Sequence, residues 1–186
     1  APDSPAKSLK DLIAQAKGNP GRFNIGSINI GSTQHLAGEL FKAMAGLDVV
    51  AVPLDVTDDA SIQQAIDGVL QRWGRIDLLV NNVWGGYERM IDNGVFTWSQ
   101  PFWEQPPWRW DAMFDAGVRA HYRASQLAVP SMIARRRGLI VNISFWSAQK
   151  HVGNVAYGVA KAATDKMTAD MAMEPKATRV PMRAGR

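Results

Sequence analysis

The stretch LDVVAVPLDVTDDASIQQAIDGVLQRWGRIDLLVNN, residues 47–82, contains the pattern that decides the fold. Its apolar run over 48–54 predicts a buried strand, and the polar residues 55–59 end that strand and open a helix. One face of this helix carries Ile62, Ile66, Val69, Leu70 and Trp73. Gly74 ends the helix, and a second apolar strand follows at 76–80. A strand, a helix and a strand in this order indicate a parallel sheet covered by helices.

The flanking sequence extends this pattern on both sides. Apolar residues at helical spacing after Ser8 predict a first helix, which GNPG at 18–21 ends. The same reasoning predicts a strand at 23–28, a helix at 33–45 closed by Gly46, a strand at 139–143 and a helix at 154–172. We therefore expect an α/β fold with three layers, formed by residues 1–172 as a single domain. We expect the strands at 48–54, 76–80 and 139–143 to lie parallel and adjacent.

Three segments depart from the strand and helix alternation. Residues 83–107 are rich in Gly, Pro and Trp and are predicted to form a long loop. Such a loop is either functional or poorly ordered, or its aromatic side chains pack on the body of the domain. Residues 108–137 are predicted to form a long helix that Pro130 kinks or splits. Residues 173–186 show no periodicity and are predicted to form an irregular tail.

Composition excludes several classes of protein. The chain has 186 residues, of which 46% are hydrophobic, enough for one sizeable core. It has no cysteine, which excludes disulfides and thiolate chemistry, and its three histidines are too scattered for us to expect a metal site. The net charge of +4 includes the triplet 135–137, which is more typical of a helix C-terminus than of a nucleic-acid site. We find no signal sequence or membrane span and expect a cytoplasmic protein, with a homo-oligomer left open.

The stretch YGVAK places Tyr157 and Lys161 four residues apart, hence on one face of a helix. A nearby ammonium favours the phenolate form of a tyrosine, whose unperturbed pKa is about 10. Ser144 lies thirteen residues earlier, at the end of the predicted strand 139–143. Because the carboxyl ends of parallel strands face the ligand crevice, this hydroxyl is placed to donate to a substrate carbonyl oxygen. The three side chains together predict proton transfer to a carbonyl compound.

Four motifs, DVTDD, GRIDLLVNN, GLIVNIS and AYGVAKAA, give residues 55–172 a resemblance to the short-chain dehydrogenases/reductases. The resemblance implies a Rossmann-like parallel sheet with helices on both faces, and an oxidoreductase that uses NAD or NADP on a small-molecule carbonyl or alcohol. It makes Tyr157 the general acid/base, Lys161 its ammonium partner and ribose ligand, and Ser144 the carbonyl orienter. The remaining implied cofactor-binding residues are Asp55 and Val56 at the adenine, and Asn81 and Asn82, with Asn81 bracing the central strands.

Several positions differ from this family's pattern. The usual Asn-Ala-Gly after the fourth strand is here Asn82-Val83-Trp84, and the position that often holds a fourth catalytic asparagine is Gly117. The cofactor loop has Gly26 and Gly31, with Ser32 where a third glycine would help. Only 23 residues separate Gly31 from Asp55, where the family fits a further strand and helix that include the residue reading the ribose 2′ position. The family also continues into a strand and a substrate-covering segment where this chain has residues 173–186. We therefore expect a fold that is incomplete relative to the family and an impaired cofactor site.

The N-terminal block SLKDLIAQAKGNPGRFNIGSINIGSTQHLAGELFKAMAG resembles another family, the periplasmic solute-binding proteins of tripartite tricarboxylate transport. The resemblance covers about residues 8–54. Those proteins bind a carboxylate partly through backbone amides at a helix start, where this chain has Gly31, Ser32 and Thr33. The resemblance implies an anion-binding turn and a chimeric chain, joined at about Leu54-Asp55.

Three hypotheses follow for the function. The first is a short-chain NAD(P)-dependent oxidoreductase, impaired by the replaced cofactor loop. The second is a binder of small carboxylates or other anions, which uses the helix start at Ser32 and Thr33. The third is an inactive chimeric scaffold.

Overall fold

The computed structural model describes residues 8–18, 23–27, 40–41, 43–46, 49–174 and 182–185. The chain divides into two compact units, Ala1–Gly74 and Arg75–Arg186, and each is considered separately. The boundary follows Gly74, the residue that ends the helix of the opening stretch. The single domain over 1–172 stays a prediction.

The described residues of the first unit form helices and a pair of parallel strands. These elements are α1 (Leu9–Gly18), β1 (Phe23–Ser27), β2 (Val49–Pro53) and α2 (Asp59–Trp73). β1 pairs with β2 along its whole length, from Phe23 opposite Val49 to Ser27 opposite Pro53. Gly26 therefore lies inside a strand rather than in a loop. Residues 40–41 and 43–45 are helical, as predicted for the end of the segment 33–45.

The ends of the helices in this unit follow the predicted capping signals. The Ser8 hydroxyl accepts a hydrogen bond from the Asp11 amide at 3.1 Å. The Asp58 carboxylate accepts from the Ala60 amide at 2.9 Å and so satisfies one of the free amides at the start of α2. Gly74 ends α2 with a φ of 71°, a left-handed conformation that glycine adopts without strain. Local side-chain chemistry thus determines where these helices begin and end.

The second unit contains a three-stranded parallel sheet and three long helical segments. Its elements are β3 (Leu78–Asn81), β4 (Ile91–Asp92), β5 (Val95–Phe96), α3 (Pro107–Phe114), α4 (Ala120–Ala134), β6 (Leu139–Ile143), α5 (Val155–Met173) and β7 (Met182–Gly185). The order in the sheet is β3-β6-β7. β3 and β6 are parallel neighbours, which confirms the prediction for the strands at 76–80 and 139–143.

The prediction of an irregular tail over 173–186 is wrong for residues 182–185. They form β7, which pairs in parallel with β6 from Ile140 opposite Met182 to Ile143 opposite Gly185. β6 has β3 along only one side, so its other row of backbone amides and carbonyls needs partners. β7 supplies these hydrogen-bond partners. The sequence of residues 182–185 does not indicate this pairing, because it has no strand periodicity.

Helices of this unit pack against its sheet. α4 contacts β3 and β6, α5 contacts β6, and the side chains of Asn81, Ile140 and Asn142 are buried. In β3, Leu78 and Val80 are 48% and 50% exposed, Leu79 is partly buried and Asn81 is buried.

Residues 83–107 have more structure than a long loop. β4 and β5 form an antiparallel hairpin whose turn is Asn93-Gly94, with φ values of 49° and 79°. This is the Asn-Gly signal of a two-residue hairpin turn, which the sequence reading missed. The fully buried guanidinium of Arg109 donates to the Arg89 and Thr97 carbonyls, both at 3.1 Å, and so ties this hairpin to α3. Part of the aromatic side chains, namely Trp84, Tyr87 and Trp98, pack on the unit against Tyr157, whereas Phe102 and Trp103 are 65% and 71% exposed.

The long helix predicted over 108–137 is interrupted at a different place. α3 ends at Phe114, a π-helical turn spans Asp115–Arg119, and α4 continues through Pro130 to Ala134. The predicted split at Pro130 is therefore wrong, and the alternative of a kink there stays a prediction. At the end of α4 the Arg135 side chain donates to the Ser131 carbonyl, as expected for a basic residue at a helix C-terminus. None of the described helices is both long and apolar enough to span a bilayer.

Candidate active site

Ser144, Tyr157 and Lys161 lie close to one another beside the end of β6. Tyr157 is in the first turn of α5, and its amide donates at 3.0 Å to the side chain of Asn154, the N-cap of that helix. Ser144 follows β6 directly, and its hydroxyl donates to the Lys161 carbonyl at 3.4 Å. All three residues are buried, with exposed fractions of 4 to 7%. One helix face and one strand end thus hold the three predicted catalytic residues.

The Lys161 ammonium is held from two sides. It donates to the Ile143 carbonyl at 3.1 Å, and it lies 3.7 Å from the ring centroid of Trp84. Burial lowers the pKa of Lys161 to about 8, and the charge of Asp165 opposes that shift. The ammonium therefore loses its charge near pH 8, well below the range usual for a lysine.

Four aromatic rings surround Tyr157. Ring centroids lie 5.3 Å away at Trp84, 5.4 Å at Trp98, 5.9 Å at Phe145 and 6.3 Å at Tyr87. Three of these four side chains come from the segment 83–107. Burial raises the pKa of Tyr87, and its hydrogen-bond interaction with Tyr157 raises it further, so Tyr87 stays protonated over the ordinary pH range. The surroundings of Tyr157 are therefore aromatic and largely uncharged.

Asn81 belongs to a buried polar network. Its amide nitrogen donates to Asn142 at 2.7 Å and to Ser125 at 3.1 Å, and the Asn142 amide donates to Thr168 at 2.9 Å. These contacts join β3, β6, α4 and α5. Asn82, the next residue, is exposed. The Asn81 side chain therefore braces the sheet, and its place in the cofactor-binding set stays a prediction.

The other predicted binding residues belong to the first unit. Asp55 is exposed and accepts hydrogen bonds from the Thr57 hydroxyl at 2.7 Å and the Thr57 amide at 2.9 Å, which lower the pKa of Asp55. Val56 is buried. Gly31, Ser32 and Thr33 lie outside the described residues.

Comparison with known proteins identifies the family. The profile of the short chain dehydrogenases matches residues 23–184, which is most of the chain. The chain belongs to the short-chain dehydrogenase family. The match begins before residue 55 and ends after residue 172, so the family extends over more of the chain than the four motifs indicate.

Individual relatives agree with the family. Human dehydrogenase/reductase SDR family member 1 is 35% identical over 130 residues, which cover 69% of this chain and 40% of that protein. A metagenomic short-chain oxidoreductase, solved in complex with NADP, superposes with a TM-score of 0.71 at 25% identity, over 87% of this chain and 68% of that one. The Rossmann-like α/β fold is thereby confirmed. This short-chain dehydrogenase spans about two fifths of the length of the human relative.

A shorter match involves a different protein. A UPF0065 protein of Bordetella pertussis is 44% identical over 52 residues, which cover 28% of this chain and 16% of that protein. A match over so small a part of that protein does not show a second family. The resemblance of residues 8–54 to solute-binding proteins therefore stays a prediction.

Sequence reasoning missed several residues of this short-chain dehydrogenase site. Trp84, Tyr87 and Trp98 belong to a segment that it recognised as aromatic-rich, but it did not place them against Tyr157. His121 is 1% exposed, and its Nε2–H donates to the Val83 carbonyl at 3.0 Å. Burial lowers the pKa of His121 to about 4, the bond to Val83 opposes the shift and the charge of Lys161 adds to it. No periodicity marks this histidine as buried, since α4 is apolar over most of its surface.

The residues present fit the nicotinamide and ribose end of a dinucleotide cofactor. Tyr157 and Lys161 lie on one helix face, and Ser144 is beside them. Next to them the indole Nε1–H of Trp84 is buried and has no hydrogen-bond partner among the described residues. An unpaired buried donor of this kind is typical of a place where a ligand or a water molecule completes the hydrogen bonding.

A cavity of about 330 Å³ lies beside the start of α5. Its lining includes Ser147, Lys150, His151 and Asn154, but not Ser144, Tyr157 or Lys161. The cavity is therefore separate from the three predicted catalytic residues.

Proposed function

We propose that this chain forms the catalytic part of a short-chain NAD(P)-dependent dehydrogenase/reductase that interconverts a small carbonyl compound and its alcohol. The observation that carries this proposal is the burial of Ser144, Tyr157 and Lys161 together at the end of β6. The NADP complex of the metagenomic relative supports a nicotinamide cofactor. In this family the residue that contacts the ribose 2′ position determines the preference for NAD or NADP. We expect that residue to be missing between Gly31 and Asp55, so both cofactors are proposed.

The bound cofactor would supply the hydride in reduction and accept it in oxidation. In reduction the Tyr157 hydroxyl gives its proton to the substrate oxygen, and in oxidation Tyr157 takes that proton back. The Ser144 hydroxyl donates to the same oxygen after it turns away from the Lys161 carbonyl. The Lys161 ammonium, beside Tyr157, stabilises the phenolate and contacts the ribose hydroxyls. Asp55 and Val56 would border the adenine, and Asn81 and Asn82 complete the proposed binding set.

A fluorescence titration with NADH and NADPH tests cofactor binding. Trp84 and Trp98 both contact Tyr157, so a nicotinamide ring bound beside this tyrosine is expected to quench them. Saturable quenching by one or both cofactors supports the proposal. A linear response, without saturation up to millimolar cofactor, contradicts it.

Tyr157→Phe tests the chemistry. The substitution removes only the proton-donating oxygen and keeps the ring among its aromatic neighbours, so carbonyl reduction is expected to fall by about 10²-fold or more. Tyr122→Phe is the matched control, because Tyr122 is half exposed and lies outside the aromatic cluster. Equal rates for the parent and Tyr157→Phe would mean that the Tyr-Lys pair is an inherited feature of an inactive scaffold.

A second candidate function is the binding of a small carboxylate at Gly31, Ser32 and Thr33. The resemblance of about residues 8–54 to periplasmic solute-binding proteins, in which a helix start binds a carboxylate, favours it. Titration with citrate, followed by calorimetry, tests this candidate. Ser32→Ala and Thr33→Ala are expected to weaken the binding only partly, because the backbone amides remain. If neither citrate nor cofactor binds, the inactive scaffold is the remaining hypothesis.

A further inference from the structure

Trp84 stands at a position where the family pattern has a glycine, in Asn82-Val83-Trp84. Its indole is packed between elements that are distant in the chain. It meets Tyr157 edge to face at 5.3 Å, and its face lies 3.7 Å from the Lys161 ammonium. One ring therefore contacts both members of the Tyr-Lys pair.

Gly117 is the second departure from the family pattern, and it contacts the same ring. It lies in the π-helical turn Asp115–Arg119, a kind of irregularity that is frequent at functional sites. A Cβ atom built on Gly117 would lie 2.3 Å from Cζ3 of Trp84 and 2.5 Å from Cε3. Any side chain at 117, including the asparagine that is common in the family, would require the indole to move. The tryptophan at 84 and the glycine at 117 are therefore coupled, because the indole of Trp84 occupies the space that a side chain at 117 would fill.

The contact between the Trp84 indole and the Lys161 ammonium is electrostatic as well as steric. An ammonium over an aromatic face is attracted by the ring, and the attraction is strongest where water is excluded. Lys161 is 6% exposed, and its ammonium donates to the Ile143 carbonyl at 3.1 Å. The other titratable groups around it are Asp165 on α5, His121 on α4 and Tyr157. The indole face therefore compensates part of the cost of burying the ammonium.

We propose that Trp84, paired with Gly117, is a positioning residue that holds the charged Lys161 beside Tyr157 where the family commonly has an asparagine at 117. This inference rests on the proposed function for its catalytic meaning. The contact itself is a property of the chain alone. A residue that only filled space would be replaced equally well by any apolar side chain of similar size.

Titration of Lys161 by NMR in ¹³C-labelled lysine tests the contact without cofactor. The chain has eight lysines, and Lys161→Met identifies the resonance. In Trp84→Leu the burial is kept and the aromatic face is lost, so the pKa of Lys161 is expected to fall below its value of about 8 by roughly half a unit to one unit. Trp84→Phe keeps an aromatic face and is expected to stay at the parent value. Trp103→Leu, at a tryptophan that is 71% exposed, is the control.

An unchanged titration in Trp84→Leu overturns the inference, as does an equal fall in Trp84→Phe and Trp84→Leu. Trp84→Met replaces the leucine variant if that variant does not fold. Where the parent turns over, kcat is expected to fall at least about tenfold in Trp84→Leu and to be largely kept in Trp84→Phe. A parent that neither binds cofactor nor turns over contradicts the proposed function, whereas the titration still decides the role of Trp84.

Discussion

At the scale of single residues, burial controls the ionisation of the site. His121 and Lys161 are both basic, both buried and both shifted toward their neutral forms. The two groups also repel each other electrostatically, since the charge of Lys161 adds to the shift of His121. A neutral His121 avoids a second positive charge close to the buried Lys161 ammonium, which lies beside Tyr157.

His121 is expected to make the protein sensitive to mild acid. Its folded pKa of about 4 lies below the unfolded value of about 6.5, so the unfolded chain binds the proton first as the pH falls. The stability from neutral His121 is fully present above pH 6.5 and is lost as the pH falls toward 4. Between pH 7 and pH 5 this amounts to roughly 2 kcal/mol of the free energy of unfolding.

Urea unfolding at the two pH values measures this loss. His121→Gln cannot titrate and can still donate to the Val83 carbonyl, so it is expected to lose less stability than the parent between pH 7 and pH 5. His151→Gln is the control, because His151 is exposed. A loss in His121→Gln as large as in the parent would show that other groups cause the acid sensitivity.

At the scale of elements, the π-helical turn between α3 and α4 is the part of this helical segment that contacts the site. The π-helical turn brings Gly117 against the Trp84 indole, and the Thr164 hydroxyl of α5 donates to the Gly117 carbonyl at 3.4 Å. The side chain of Trp84 and the backbone of the turn at Gly117 therefore pack tightly against each other. Such a fit predicts that their substitutions are not independent.

Gly117→Ala is expected to destabilise the parent by about 1–3 kcal/mol, because the added methyl group forces the indole to move. In the Trp84→Leu background the same change is expected to cost at least about 1 kcal/mol less, a coupling that a double-mutant cycle in urea measures. Gly68→Ala in α2 is the control, since a Cβ there meets nothing within 4 Å. Additive effects of the two substitutions would contradict the fitted pair.

At the scale of the whole molecule, the proposed cofactor-binding residues are distributed along the chain. Asp55 and Val56 belong to the unit Ala1–Gly74, and Ser144, Tyr157 and Lys161 belong to the unit Arg75–Arg186. In the first unit β1 pairs directly with β2, and the sequence between them has room for one helix. From this spacing we expect that the additional strand and helix of the family, with the residue that reads the ribose 2′ position, are missing.

Cofactor affinity is expected to be low for this reason. We expect dissociation constants for NADH and NADPH well above 1 μM, that is, less than about 8 kcal/mol of binding free energy, and little discrimination between the two. Calorimetry measures both quantities, and Asp55→Asn is expected to weaken binding further, because an amide oxygen is a weaker hydrogen-bond acceptor than a carboxylate at the proposed adenine position. A dissociation constant near 1 μM would show that the N-terminal segment replaces the family's loop effectively.

The sequence by itself determined those features that neighbouring residues control. Apolar runs marked the strands, Ser8, Asp58 and Gly74 fixed helix ends, and four-residue spacing placed Tyr157 and Lys161 on one face. The tertiary structure alone decided the pairing of β7 with β6, the fit of Trp84 to Gly117 and Lys161, and the burial of His121. Helix capping and hydrophobic periodicity depend on residues that are close in the chain, so both can be predicted from the sequence. Strand pairing, ring packing and desolvation depend on which distant segments meet, and they are fixed only when the chain has folded.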